Sequence, residues 1–495
     1  MKSINKSIFL KTLECPVYAW HLYRELIPKD SSLSDDFLVM ESRNIHNMAK
    51  LLFKDGIQVS KKLEEALQQT KDLINDNSIK TIFEPVFKYD CFIAKADILS
   101  RTDTNSWEII EVKSGNKWKH KYISDIAYVS MIATKTSSQI SKATLYLLSK
   151  DFRLGKTIDE MFTKIDCSFD VFAIAEEYSK KINYSKEILL ADKPEEKKLK
   201  ISCKNCALFK ECTGKDIEYH IFDLPRLSQS VFEKLVENKI YEIKDIPKDA
   251  ELTQMQKVVK DCVINDKIFI SENLKIELDK IAFPTYYLDF ESVMTIYPLY
   301  NNIAPHSQIL TQYSIHKCDK VGNITEHFEY IADHTQDCRK IIAQKLVEIL
   351  QTTGSIVTYS SFEKQIIEKL INICPELTEQ LQAIANRIVD LEEILRLNYY
   401  DKRFHGKTSI KKILPIMIPQ MNYDKLEIGE GGVALSAFAY MAMGLYSEEK
   451  IKETKQNLLK YCKQDTLALV KMHKFLYDVA NREIHPFNNN VNFEN

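Results

Sequence analysis

No charge of either sign dominates this chain: 68 lysines and arginines stand against 70 aspartates and glutamates over 495 residues. That balance excludes a global field that draws the protein to nucleic acid, so any such binding has to come from local patches. Long hydrophobic runs are missing as well. The most apolar stretch, GGVALSAFAYMAMGLY, is short and broken by glycine, and the N-terminal MKSINKSIFLKTLECP has no apolar segment of signal-peptide length. A cytoplasmic location without a membrane partner is therefore expected. Internal repeats and long low-complexity tracts are also absent. What is present is an ordinary globular composition, 45% hydrophobic, with enough length for two or three domains. In a reducing compartment its eleven cysteines are expected to be thiols or metal ligands, not disulfides.

The pattern predicts an α/β protein. Up to about residue 215, helical spacing in DDFLVMESRNIHNMAKLLF and DIAYVSMIA alternates with strand-like runs in CFIAKADILS, WEIIEVKS and ATLYLLS. Residues 216–283 are lysine-rich and helical, and read as a linker. A second strand set opens at TYYLDFES, continues through ILTQYSIHK and GSIVTYS, and gives way to helices, which predicts a second α/β domain over 284–478. Residues 479–495, ending in HPFNNNVNFEN, read as a disordered tail.

In AKADILSRTDTNSWEIIEVKSG two strands flank a polar turn centred near residue 104. A hairpin about that centre sets Asp97 opposite Glu111, with Lys113 two residues on along the same face. Two carboxylates suit magnesium or manganese, and an ammonium beside them can hold a water or a phosphoryl oxygen, which is the equipment of phosphodiester hydrolysis. A solvated charged face is the bland alternative. The surrounding residues, Glu84 in TIFEPVF, His46 on a helix before it, and Asp125 and Tyr128 on a helix after it, resemble the PD-(D/E)xK core of RecB-like nucleases. That resemblance implies a restriction-endonuclease-like domain over 1–215, with His46 as a further metal ligand. The chain departs from the pattern at Val129, where the family usually carries Gln. KWKHK, with Lys117 and Trp118, follows directly; Trp118 either stacks on a base or packs in the core.

Cys203, Cys206 and Cys212 form C-x2-C-x5-C, and Cys15 lies near the other end of the same stretch. Four thiolates suit zinc or an iron–sulfur cluster, and spacing alone does not decide between them. The arrangement resembles the iron–sulfur nucleases of the AddB type and CRISPR-associated RecB-like exonucleases, and the resemblance implies a [4Fe-4S] cluster, with zinc as the alternative.

Asp289 and Glu291 in YYLDFES share one strand face, and Leu288 and Phe290 share the other. A two-metal phosphodiester site commonly needs further carboxylates around ions about 3.5–4 Å apart. Glu363, after the strand in GSIVTYSSFEK, is one candidate; Asp465 is another, four residues after Tyr461 on a helix. The order D-x-E, acid, then Y-x3-D resembles the DEDD 3′–5′ exonucleases of the RNase H-like fold. It implies Asp289, Glu291, Glu363 and Asp465 as ligands of magnesium or manganese, and Tyr461 as the residue orienting water. Glu363 replaces the usual Asp, and Ser360 stands where Asn is common. Between the motifs lie Asp390 in RIVDL and the lysines of GKTSIKK, of which Lys407 and Lys411, with Lys412, can meet a phosphate backbone.

Taken together, the chain resembles an uncharacterised bacterial family that joins a RecB-like nuclease, four cysteines and an RNase H-like exonuclease. The expectation is a metal-dependent nuclease with two centres acting on nucleic acid, DNA before RNA, in repair, recombination or defence. A binding scaffold with one or both centres degenerate is the alternative, and a zinc-stabilised interaction protein is a third.

Overall fold

The computed structural model describes residues 2–27, 33–103, 105–136, 138–424 and 426–482. The protein is mixed α/β and divides into two units, the first made of residues 1–198, 206–213 and 294–308, the second of 199–205, 214–293 and 309–495. Among the described residues no helix is long and apolar enough to cross a membrane.

The first unit starts with three helices, α1 (Lys6–Glu14), α2 (Pro16–Tyr23) and α3 (Leu33–Lys50), followed by β1 (Ile57–Gln58) and α4 (Leu63–Asn75). Strands β2 (Thr81–Phe83), β3 (Val86–Tyr89), β4 (Phe92–Lys95), β5 (Ile98–Arg101) and β6 (Trp107–Lys113) come next. They are followed by α5 (His120–Lys135), β7 (Ile140–Leu148), β8 (Phe162–Asp166), α6 (Ser168–Leu190) and the short α7 (Phe209–Cys212). Its main sheet has the order β1-β2-β5-β6-β7-β8, and β3 and β4 pair separately. The run CFIAKADILS, read as one strand, is in fact two strands in two sheets. The break falls at Ala96 and Asp97, because Ala96 N–H donates to Pro85 O and Glu84 N–H to Asp97 O, turning the backbone out of one sheet and into the other. Beyond the break the expected hairpin register holds, with Ile98 opposite Ile110 and Leu99 opposite Ile109. The α5 face that packs inward is apolar along its length, Ile123, Ile126, Ala127 and Val129 included, so a nonpolar residue at 129 is what this core accommodates.

The second unit begins with α8 (Gln229–Glu237), α9 (Gln254–Asn265), β9 (Phe269–Ile270) and α10 (Asn273–Asp279). The long strands β10 (Thr285–Met294), β11 (Gln308–Lys320) and β12 (Asn323–Ile331) follow, then α11 (Arg339–Leu350), β13 (Ile356–Thr358), α12 (Phe362–Ile373) and α13 (Thr378–Asn386). The unit closes with β14 (Ile388–Asp390), α14 (Leu391–Asn398), β15 (Tyr399–Tyr400), α15 (Ile410–Met417), α16 (Gly431–Ala442) and the long α17 (Glu448–Asn481). Its five-stranded sheet runs β12-β11-β10-β13-β14, which puts the YYLDFES strand in the middle. Central placement explains the apolar side of that strand: Tyr286, Leu288 and Phe290 are all buried. At the start of β13, Gly354 has φ +80° and a Cβ there would meet Pro284 O at 1.8 Å, so this close approach admits only glycine.

Two expected boundaries change. The segment 216–283 is not a free linker: it belongs to the second unit, because its apolar residues Phe232, Leu235, Val259, Leu274 and Leu278 are buried and β9 pairs with β15. Residues 294–308 follow β10 in the chain yet belong to the first unit. There the N–H groups of Ile296 and Tyr297 donate to the buried carboxylate of Glu41 on α3, at 2.9 and 3.3 Å, and His306 Nε2 lies 2.6 Å from Ser114 O. Of the expected tail, residues 483–495 lie outside the described residues.

Burial raises Glu41 from 4.5 to about 7, against the lowering effect of the two amide donors. The folded state therefore keeps a proton that the unfolded chain has lost, and this contribution, complete below about pH 4.5, fades as pH rises through about 7. Glu41→Gln is expected to match the wild type in thermal unfolding near about pH 5 and to exceed it near about pH 8, by on the order of 2–3 kcal/mol. A difference that does not grow between those two pH values would refute this account of Glu41.

Candidate functional site

The structure gathers the second set of acids tightly. Ligand atoms of Asp289, Glu291 and Asp465 all lie within 4.8 Å of one another, and among the described residues this is the group of three or more His, Cys, Asp or Glu that meets that limit. The period-two alternation of β10 puts Asp289 and Glu291 on one face, and α17 brings Asp465 to them. That helix is seated by Gln312 Nε2 donating to Leu458 O at 2.8 Å, and by Tyr287 Oη 2.6 Å from His473 Nδ1. Glu363, in the first turn of α12, is buried, and its Oε2 has no hydrogen-bond partner among the described residues.

Burial and crowding act together on these groups. Asp289 is raised well above the ordinary carboxylate range by burial and then by the charges of Asp465, Glu291 and Glu363. Glu291 is pushed up to about 8 by burial and Asp465, with Lys411 opposing. Glu363 also reaches about 8, through burial and the charges of Asp390 and Asp465. Asp465 rises less, to about 6, because the Tyr423 hydroxyl and Lys411 counter its burial. Tyr423 Oη donates to Asp465 Oδ1 at 2.5 Å, and the Cys462 thiol lies 3.2 Å from Asp289 Oδ2.

Tyr461 sits one helical turn before Asp465, buried, with Lys411 Nζ donating to its hydroxyl at 3.0 Å and to Gly429 O at 2.7 Å. Lys411 thus belongs to this centre. Lys407 lies instead near Lys204 and Asp223, and Lys412 is on α15 beside Lys411. Asp390 accepts the N–H groups of Glu392 and Glu393 as the cap of α14, and Ser360 Oγ accepts from Phe362 N–H at the start of α12; both also act on Glu363, Asp390 by its charge and Ser360 by a side-chain hydrogen bond. Tyr423 and Cys462 escaped the sequence reading. Cys462 was within reach, since it stands three residues before Asp465 on one helix face. Tyr423 comes from an irregular segment with no spacing signal.

The first set is looser. His46 Nδ1 lies 3.3 Å from Asp97 Oδ1, and Asp97 Oδ2 accepts from Val112 N–H at 2.8 Å. His46 is raised because hydrogen bonding and charge from Asp97 outweigh the lowering effect of burial. Glu111 is buried; its Oε1 takes both Lys113 at 2.8 Å and Lys6 at 3.1 Å, while Oε2 has no hydrogen-bond partner among the described residues. The two ammonium groups overcome burial and hold Glu111 at about 2. Lys113 also binds Asp125 at 2.6 Å. Ligand atoms of His46, Asp97 and Glu111 do not close to within 4.8 Å as a set. Glu84 is tied up with Lys50 and Lys95, and the Tyr128 hydroxyl lies 3.0 Å from both Ile4 O and Ile93 O in the core. Trp118 is 49% exposed, which removes the core reading and leaves the ring open on the loop after Lys113; Lys117 beside it is exposed too. Lys6, on α1, carried no sequence signal at all.

Cys15 ends α1, Cys203 lies in a short 3-10 turn (Ile201–Asn205), Cys206 follows that turn and Cys212 ends α7. Each is partly exposed and none is in a disulfide.

Residues 286–409 match a family described as a domain of unknown function (DUF2779). The chain is 24% identical over 232 residues to the uncharacterized protein MG366 of Mycoplasma genitalium, covering 43% of this chain and 35% of the relative. It is likewise 24% identical over 242 residues to the uncharacterized MG366 homolog of Mycoplasma pneumoniae, covering 44% of this chain and 36% of that protein. The chain therefore spans little more than a third of the curated relatives it matches.

Removing one charge from the crowded trio should relieve strain. Asp289→Asn is expected to raise thermal stability, measured in chelator near about pH 8, by on the order of 1–3 kcal/mol. A destabilised variant would show that repulsion among these acids is not a dominant cost.

Proposed function

We propose that the protein is a metal-dependent nuclease that hydrolyses phosphodiester bonds of nucleic acid, DNA before RNA, in repair, recombination or defence. In this reading the first unit is restriction-endonuclease-like with a RecB-like PD-(D/E)xK centre, and the second is RNase H-like with a DEDD-type centre. The observation that carries it is the convergence of Asp289, Glu291 and Asp465 within 4.8 Å. Three acids in that space, with a buried, unpaired Glu363 oxygen in electrostatic reach, form an all-oxygen donor set that fits magnesium or manganese.

Asp289, Glu291 and Asp465 would hold the metal, with Glu363 completing the set; its extra methylene lengthens the reach of the Asp it replaces. Bound divalent ions supply Lewis acidity and an activated water. The chain's own parts do the rest. Tyr461, fixed by Lys411, offers its hydroxyl to orient a water, and Lys411 contributes positive charge for a phosphate. Tyr423 fixes the orientation of Asp465.

For the first centre, Asp97, Glu111 and His46 would take a metal, and Glu111 Oε2 is the buried oxygen free to bind it. A second reading, that this centre binds nucleic acid without cutting it, is favoured by its looser spacing and by the two lysines already on Glu111. A [4Fe-4S] cluster, or zinc, on Cys15, Cys203, Cys206 and Cys212 rests on the resemblance of their arrangement to that of iron–sulfur nucleases.

The test is incubation of labelled single- and double-stranded oligonucleotides with magnesium or manganese. Wild type is expected to cleave, chelator to stop it, and Asp289→Ala and Lys113→Ala each to remove a separable activity by on the order of 100-fold or more. Cleavage that survives the double substitution would end the assignment of both centres, and binding that is indifferent to chelator without any cleavage would favour a scaffold.

A further inference from the structure

We propose that helix α1 forms a phosphate-binding wall of the first centre, in which Lys6 positions the sugar–phosphate backbone of a nucleic-acid strand beside Glu111. The inference rests on the nucleic-acid reading above and adds a residue and a surface to it.

Three observations converge. First, a groove of about 870 Å³ opens beside Lys113, lined by Lys6, Lys11, Lys121, Tyr122 and Asp125 among others, with Ser7, Ser114 and Ser124 also in its lining. Its volume falls in the range of ligand clefts. Second, its cations exceed its acids. Glu14 is occupied by Lys11 at 2.6 Å and Asp125 by Lys113 at 2.6 Å, while the ammonium groups of Lys113, Lys121 and Lys119 lie 5.4, 5.8 and 6.0 Å from the centre of one ring, Tyr122. Third, Lys6 and Lys113, from elements more than a hundred residues apart in the chain, bind the same oxygen of buried Glu111.

The ammonium groups of Lys6 and Lys113, which share Glu111 and Asp125, repel each other, and a polyanion laid in the groove relieves that repulsion. Lys6 is 31% exposed, so its head is open to a ligand while it touches Glu111. Ammonium and hydroxyl groups lining one groove are donors suited to phosphate oxygens. A metal cation fits this wall poorly, for the same electrostatic reason.

The experiment uses the full chain in chelator, with a fluorescein-labelled single-stranded oligodeoxynucleotide followed by anisotropy over a range of salt concentrations. Lys6→Ala is expected to weaken binding several-fold and to lower the slope of log affinity against log salt by about 1. Lys6→Arg should restore both. Lys62→Ala, at a highly exposed lysine just before α4, should change neither. If Lys6→Ala fails to fold, Lys121→Ala carries the same expectation. Lys6→Ala with wild-type affinity and salt slope overturns the proposal, as does a wild type that does not bind the oligonucleotide. The nuclease reading fails separately: a wild type that binds through Lys6 but never cleaves keeps the wall and loses the reaction. Cleavage that needs Lys113 while Lys6→Ala is indifferent keeps the reaction and loses the wall.

Discussion

Mutual repulsion among the acids of β10, α12 and α17 is the constraint on which the second unit depends. Nothing in folding favours bringing Asp289, Glu291 and Asp465 within 4.8 Å, so the surrounding structure has to impose it. It does so with the most rigid parts available: the central strand of a five-stranded sheet and a helix of 34 residues. The buried Tyr286, Leu288 and Phe290 on the face opposite the acids, and buried polar contacts such as Gln312 to Leu458, hold strand and helix in place against that repulsion. Tyr423 and Lys411 soften the crowding without cancelling it, which leaves Glu291 and Glu363 at about 8.

The first unit solves the opposite electrostatic problem. Its buried carboxylate, Glu111, is held at about 2 because two lysines meet on it, and the neighbouring groove carries further ammonium groups. The acids of the second unit are short of positive charge, and the groove of the first has it in excess. A cation completes the former and an anion suits the latter.

Much of this was legible because short-range periodicity fixes which side chains share a face. Asp289 with Glu291, and the register that sets Asp97 toward Glu111, follow from strand geometry and a turn centre. Tyr461 and Asp465 follow from helical spacing. Reading failed where a contact spans the chain: Lys6 reaches Glu111 across 105 positions and Tyr423 reaches Asp465 across 42. It failed also at CFIAKADILS, where β-propensity continues through a break that tertiary hydrogen bonds create at Asp97.

By itself, the sequence determined an α/β chain without an apolar membrane-crossing run, the facial pairing of its acids on strands and helices, and the chemistry those acids suit. Local sterics and side-chain periodicity act within a few residues, and that is enough for such conclusions. Only the tertiary structure decided that segment 216–283 is built into the second unit, that 294–308 belongs with the first, and that Lys6, Lys411 and Tyr423 stand at the acids. Those outcomes depend on which apolar faces find each other and which buried charges must be neutralised. These choices are made by the packed chain as a whole.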